Sequence, residues 1–579
     1  MPFLFRVVTA VAASSCVLLA NASNCPPLGA VLPPPLAPSK SKSVQSAIEG
    51  LTVRLDEEIT STLNASGISI GVKSLHEDEQ LFKYHFSPPV LSGIGTELID
   101  EHTIYRVGSV SKVFPVLVAL QSKSINMADS VLEYIPELRN GSKHDAIYGV
   151  NWEEVTIGSL ASHLSGIASD TAFDLALSSA TPWTDMGLPE VPKRTGPDCS
   201  GVPGTRPCTA NDLIRDINKS PPVYAPYISP SYSNVGFALL SMVIEAATGE
   251  KFQDVVQSSV FDAVGMNSTS FFGPLTSFDK IGFVPDGEEI WNLTLGVFEA
   301  AGGMFSNTID MLAFCEAILG NRLLSPKETH QWMKPDTHTS SFAFSAGAPW
   351  EIFRSDTITS DGRIVDVYGK GGDYGSYRAF IRMIPDYDVS ISVLTGGPEI
   401  SLGHSLRMRI SSIVVETLLP AIEQAGRDEA SSPQGFTGIY TEKSTNSSIT
   451  LNLDSGPGLV ISNFTIRGFD VLNNIGSYSG EATEPGHVEG RLYPTRLSQE
   501  LKGGSAEVAW RAVFDSATDT QKALEAQVFY KDGACQSWFS LDRLSYNFLS
   551  LAEFVFVKSQ YGEIKAIKNK AFNVTLTKE

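Results

Sequence analysis

Tyr105-Arg106-Val107-Gly108-Ser109-Val110-Ser111-Lys112 runs straight into the apolar stretch Val113–Leu120, setting a serine and a lysine three residues apart where a helix begins. Side chains three apart at a helix start share one face, so the Lys112 ammonium comes within hydrogen-bond reach of the Ser109 hydroxyl. The helix N-terminus adds free N–H groups and positive potential around Ser109 Oγ, which suits the negative charge developing on an attacked carbonyl. Pro115 falls inside this helix and removes the bond to the Ser111 carbonyl, so a local kink is expected. By itself Ser-x-x-Lys is common on helix surfaces, and its meaning depends on what lies elsewhere in the chain.

Two further segments supply that context. Tyr232-Ser233-Asn234 sits in SPSYSNVGFALLSMVIEAATG (229–249), just after Pro230 and before a helix, where a side chain points into a cleft rather than a core. A phenol is useless as a base near neutrality unless cations depress its pKa, and Lys112 and Lys370 are the candidates. Asn234 both donates and accepts, which suits it to orient a lysine or a substrate carbonyl. Tyr368-Gly369-Lys370-Gly371-Gly372-Asp373-Tyr374-Gly375 lies on a β-like stretch, and glycines inside a strand mark close approach of another backbone or a ligand. We expect an edge strand beside the cleft, its Asp373 amide completing an oxyanion hole with the Ser109 amide. The Asp373 carboxylate would then disfavour anionic substrates by like-charge repulsion. His163 reads as loop packing rather than as a triad base, since Lys112 and Tyr232 already supply the proton chemistry. No G-x-S-x-G elbow or H-E-x-x-H helix occurs, which disfavours an α/β-hydrolase or a zinc peptidase.

At 579 residues the chain exceeds one hydrophobic core, and its 42% hydrophobic, 18% charged composition is that of ordinary globular proteins. A net charge of −21 repels phosphate backbones and anionic membrane surfaces, so nucleic acid is a poor partner. Arg6, the apolar run Val7–Ala20 and Ala20-Asn21-Ala22 read as a signal peptide over 1–22, too short to span a bilayer. Secretion is therefore expected, with glycosylation sequons at Asn64, Asn140, Asn267, Asn292, Asn446, Asn463 and Asn573. In that compartment Cys199 and Cys208, flanking a Gly/Pro-rich loop, are the first choice for a disulfide. Cys315 reads as a buried thiol in an apolar helical run, and Cys25 with Cys535 is the remaining pairing. The Pro/Ser-rich residues 23–45 read as an extended N-terminal tail. An α/β or α+β catalytic unit spans 46–422, and the polar stretch 423–434 reads as a linker. A mostly β domain covers 435–579, with alternating segments at Ser448–Leu453, Gly458–Ile461, Glu507–Phe514 and Ala526–Tyr530.

Ser-x-x-Lys, Tyr-x-Asn and Lys-Gly-Gly, in this order, resemble the ordered triplet of the serine β-lactamase-like and penicillin-binding-protein-like family, the class C β-lactamase, esterase and carboxypeptidase group. GISIGVKS (67–74), TIGSLASHLSGI (156–167) and AAGGMFSNTIDMLAF (300–314) resemble further segments of that family. The resemblance implies an antiparallel sheet of five or more strands flanked by helices, with an all-helical lobe. GFTGIYTE (435–442) resembles the opening of a lipocalin-like C-terminal domain, and the Pro-rich N-terminus is similar to secreted fungal members. The implied roles are acyl-enzyme formation at Ser109, proton transfer by Lys112 and Tyr232, and substrate binding by Asn234, Lys370, Gly371, Gly372 and Asp373, without cofactor or metal. Gly371 stands where β-lactamases carry the threonine of Lys-Thr-Gly, so an esterase is implied over a drug hydrolase. The expected function is a secreted serine hydrolase or acyl transferase acting on an ester, lactone or amide, with a place in secondary metabolism following from the resemblance alone. A binding protein that keeps the fold without turnover is the alternative.

Overall fold

Gly67–Ser74 (β1) is buried on both faces but for its seventh residue, as a strand must be when helices cover its sheet. It joins Phe82–Phe86 (β2), Thr337–His338 (β3), Phe344–Ala346 (β4), Glu351–Ser355 (β5), Val365–Tyr374 (β6), Tyr377–Ile384 (β7) and Val389–Gly396 (β8) in one sheet of order β2-β1-β8-β7-β6-β5-β4-β3. The computed structural model describes residues 25–579 except 92–93, 142–144, 146, 172–174, 178–181, 192–205, 272–277, 399–402, 479–487, 517–519, 521–522, 525–526 and 528–536. Leader residues 1–22, Cys199, Cys535 and all of Ala526–Tyr530 but Gln527 lie outside the described residues. The chain divides into two units: Ser46–Arg354 with Asp366–Leu418, and the residues up to Gln45 with Ser355–Val365 and Leu419–Glu579.

In the first unit β1 pairs antiparallel with β8, Ile70 opposite Val393, and with β2, Ile70 opposite Tyr84. The principal helices are Lys42–Thr62 (α1), Val113–Gln121 (α2), Asn234–Thr248 (α3), Thr308–Leu319 (α4) and Gly403–Ser431 (α5), the last counted with the second unit from Leu419 on. Helix α4 rests on β1 because Gly71 has no side chain, where a methyl would come within 2.5 Å of Thr308 and 2.7 Å of Leu312. Phe114 of α2 stacks on Phe314 of α4, ring centroids 4.4 Å apart, inside an apolar core that includes Leu117, Leu240 and Met311.

Strand β6, expected at an edge, is an inner strand, because β5, β4 and β3 extend the sheet beyond it. The helix expected from Ser109 starts as the 3-10 turn Gly108–Lys112 and becomes α-helical only at Val113. Pro115 thus lies in the first turn of α2, where its missing N–H falls among donors that have no helical acceptor.

The second unit closes a barrel. Gly438–Glu442 (β9), Ser447–Asn452 (β10), Leu459–Ile466 (β11), Glu489–Glu500 (β12), Ala506–Asp515 (β13), Glu553–Lys558 (β14), Ile564–Asn569 (β15) and Val574–Lys578 (β16) follow the order β10-β9-β16-β15-β14-β13-β12-β11, and β10 pairs with β11. Eight strands leave a lumen that side chains can fill, and Tyr440, Ile449, Phe464, Trp510, Phe554 and Phe556 form its buried core.

Two boundary expectations are corrected. Residues 423–431 are not a linker but the last turns of α5, whose Leu418, Leu419, Ile422, Ala425 and Ala430 are buried. Their helical spacing is masked by the polar residues between them, and Pro433 follows the helix end. Nor is the segment before residue 46 a loose tail. Val31 and Leu32 are buried, Leu32 in the barrel's own core cluster, and the Leu36 and Ala37 amides donate to the Glu429 carboxylate at 3.0 and 3.3 Å. Regular structure begins at Pro38 with a 3-10 turn, followed by α1 from Lys42.

Cys25 and Cys208 are each engaged in a disulfide, and Cys315 is a buried free thiol whose pKa burial raises. Asn64, Asn267, Asn292, Asn446, Asn463 and Asn573 are exposed, while the Asn140 side chain is outside the described residues. Among the described residues no helix is long and apolar enough to cross a membrane.

Candidate active site

The nucleophile turn is shaped by glycine. Gly108 takes a left-handed φ of +51°, and a methyl there would lie 2.8 Å from the Asp373 amide nitrogen, so no other residue fits. The facing Gly372 on β6 would place its methyl 2.0 Å from the Val107 carbonyl and 2.6 Å from the Ser109 amide. Turn and strand therefore meet backbone to backbone, and the amides of Ser109 and Asp373 stand beside one another. Ser111 locks the turn: its hydroxyl donates to the Gly108 carbonyl (2.6 Å) and accepts from the Met304 amide (3.1 Å).

A 3-10 turn eclipses residues three apart, which brings Lys112 Nζ to 2.9 Å from Ser109 Oγ. Lys112 is fully buried and also donates to Asn234 Oδ1 (2.7 Å) and the Ala301 carbonyl. Asn234 is oriented in turn, its Nδ2 donating to Asp170 at 2.8 Å. Asn234 opens α3, which Ser233 caps by accepting the Gly236 amide.

Tyr232 projects from the loop before α3. Its phenol lies beside Ser109, Lys112 and Lys370, with the two ammonium nitrogens 5.0 and 5.1 Å from the ring centroid. The residue is 43% exposed, so the ring borders the open side of the site while its hydroxyl end reaches inward. Burial alone would raise the phenol pKa, but the Lys112 and Lys370 charges outweigh it and hold it below the ordinary value. Burial, helped by the Lys370 charge, lowers the Lys112 pKa against the pull of Tyr232. Lys370 is buried too, yet the Glu351 carboxylate, 2.6 Å from Nζ, and Tyr232 hold its pKa above the ordinary value. Glu351 also accepts the Gly371 amide at 3.0 Å.

The expected residues thus fall into three groups. Ser109, Lys112, Tyr232 and Asn234 meet around one hydroxyl. Lys370 is buried beside the phenol rather than open to solvent, and its charge lowers the phenol pKa. Gly371 points away from Ser109, and a methyl on it would meet the Arg407 guanidinium at 2.7 Å. The Asp373 carboxylate is engaged by Arg407 and, at 3.2 Å, by Arg378, so the expected repulsion of anionic substrates is corrected: two guanidiniums offset that charge. Glu351, Asp170 and the Ala301 carbonyl were not legible in the sequence. A lone glutamate in the apolar APWEIF (348–353) and an aspartate following SGIAS carry no motif, and a carbonyl has no letter.

The chain is 28% identical to a beta-lactamase-like protein of Arthroderma benhamiae over 570 residues, 93% of each chain. It is 26% identical to the probable hydrolase clz13 of Cochliobolus lunatus, covering 96% of this chain and 92% of that one. A class C beta lactamase from Rhodobacter sphaeroides aligns in structure at 19% identity and a TM-score of 0.46, covering 66% of this chain and 100% of that one. The family model for the beta-lactamase-like C-terminal domain matches residues 426–579, and the Beta-lactamase family model matches residues 78–411. With more than half of its length under that second description, the chain belongs to the β-lactamase family.

Proposed function

We propose that this protein is a secreted serine esterase or amidase that works through an acyl-Ser109 intermediate. The observation that carries the reading is the convergence of Lys112 Nζ, 2.9 Å from Ser109 Oγ, and the Tyr232 phenol on one hydroxyl. In acylation the Ser109 proton passes to the Tyr232 oxygen when the phenol is ionised, or to Lys112 when its amine is neutral, as Oγ bonds the acyl carbon. The Ser109 and Asp373 amides donate to the oxyanion. The C–O or C–N bond then breaks, and the leaving alcohol or amine departs with that proton. Water, or an alcohol or amine in the acyl-transfer variant, repeats the sequence in reverse and frees Ser109.

Arg407 occupies the direction a side chain at Gly371 would take, so no hydroxyl stands there, which favours an ester or simple amide over a β-lactam. The leader composition and the exposed sequons support secretion, and a biosynthetic acyl substrate is the in-class variant. The test is fluorophosphonate labelling with hydrolysis of small activated esters, repeated on Ser109→Ala. Labelling and turnover that vanish together in the variant support the reading, while an unlabelled wild type would favour a binding protein.

A further inference from the structure

We propose that His163 is a positioning residue for Tyr232, its imidazole the platform that holds the phenol between the two ammonium groups; this rests on the reading of Tyr232 as proton carrier. The two rings stack, centroids 4.3 Å apart and planes 24° from parallel, and Phe237 meets the imidazole at 5.1 Å. Both chain neighbours of Tyr232 are tied to the same residue: the Ser231 amide donates to the His163 carbonyl (2.9 Å) and the Ser233 amide to Nδ1 (3.0 Å). One residue therefore grips the tyrosine at three points, two on the main chain and one on the ring. Ser233 is also the cap of α3, so the same bond sets where Asn234 begins the helix.

Two costs argue that the arrangement is retained for use. His163 holds a left-handed φ of +62°, which a non-glycine residue keeps only where its surroundings over-determine it. Because Nδ1 accepts a hydrogen bond, the proton of the neutral ring sits on Nε2, which is buried and has no hydrogen-bond partner among the described residues. Such a donor carries its desolvation penalty uncompensated. Burial, with the Lys370 and Lys112 charges, keeps the ring neutral. A neutral platform stacks on the phenol without adding a third cation beside Lys112, Lys370, Glu351 and, through Asn234, Asp170.

The experiment is a pH profile of kcat/KM on an activated ester, with Ser109 labelling, for the full chain and for His163→Leu and His163→Phe. The leucine variant removes ring and acceptor together, and a loss of about 100-fold is expected, the size of effect that small misplacement of a reacting group produces. Its acid limb should also move to higher pH, because a phenol drifting from its ammoniums regains a more ordinary pKa. Phenylalanine restores the stacked ring and should recover most of the rate. A leucine variant with the wild-type acid limb, or a phenylalanine variant no faster than leucine, overturns the proposal. Should the leucine variant not fold, phenylalanine decides alone: a rate within about 10-fold of wild type upholds the platform, and a larger loss removes it. Wild type unlabelled at Ser109 removes the catalytic reading itself, whereas labelled wild type with indifferent His163 variants removes only this inference.

Discussion

At the residue scale the site holds two buried ammoniums against one phenol, and their pKa values are driven in different directions. Tyr232 and Lys112 are held below their ordinary values and Lys370 above its own. On the proposed mechanism the group that takes the Ser109 proton can therefore be deprotonated nearer neutrality, while Lys370 keeps its charge. Tyr232→Phe should lower kcat by about 100-fold to 10,000-fold, the range of a lost general base. Where deacylation is hit hardest, an acyl adduct accumulates on Ser109 and is visible by mass measurement; equal turnover in the variant would discredit the role. Glu351→Gln tests the opposite pole. It leaves the buried Lys370 charge unpaired, which costs about 3–5 kcal/mol in comparable pairs and should appear as a lower urea midpoint. Lys370 also loses the carboxylate that raises its pKa, so the alkaline limb of kcat/KM should move to lower pH; an unmoved limb would separate Lys370 from catalysis.

At the element scale the site is a contact between a 3-10 turn and a strand, made possible by glycines on both. Gly372→Ala puts a methyl against the Val107 carbonyl and the Ser109 amide and should pry the two oxyanion donors apart. Loss of one such donor is worth about 100-fold to 1,000-fold in kcat, with KM the lesser change; near-normal turnover would show that the Asp373 amide is not a donor. Gly303 has a different reason. A methyl on Gly303 would fall on the carboxylate of Glu299, which is buried, accepts the Leu295 amide at 2.7 Å and has its pKa pushed up to about 7 by burial. A carboxyl raised in the folded state stabilises fully below its unfolded pKa and loses that contribution as pH rises toward 7. Glu299→Gln should therefore gain stability relative to wild type between about pH 5 and pH 8, by about 3 kcal/mol. Urea titrations at the two pH values measure it, and a constant difference would place the charge of Glu299 elsewhere. The strand glycines Gly371 and Gly372 were legible in sequence because a glycine within a strand advertises close approach, whereas Gly108, Glu299 and Glu351 were silent. Their meaning comes from burial, which one letter in an apolar run does not encode.

At the scale of the whole molecule, nucleophile, phenol and strand are separated by well over a hundred residues, and their motifs were readable because each needs a fixed local conformation. The boundaries were not. The polar stretch after Ile422 looks like a linker by composition but continues α5, and the proline-rich N-terminus looks loose but belongs to the barrel unit. In both cases partners distant in sequence supply what composition lacks: Glu429 accepts the amides of Leu36 and Ala37, and Arg363, in the stretch Ser355–Val365 of the same unit, pairs with Glu423 of α5. The N-terminal strap is thus part of the barrel's stability. Prolines at 33, 34, 35 and 38 pre-set the backbone and reduce the entropy lost on docking, and Leu32 adds a buried side chain to the core cluster. Leu32→Ala removes that side chain and should cost the barrel unit about 2–5 kcal/mol, as for other buried leucines. Limited proteolysis with mass mapping reads the effect: cleavage should accelerate between Gly438 and Lys578, while sites within Ser46–Arg354 keep their wild-type rates. Uniform acceleration over both units would mean that the strap stabilises the chain as a whole, and no acceleration would mean that it rests on the barrel without holding it.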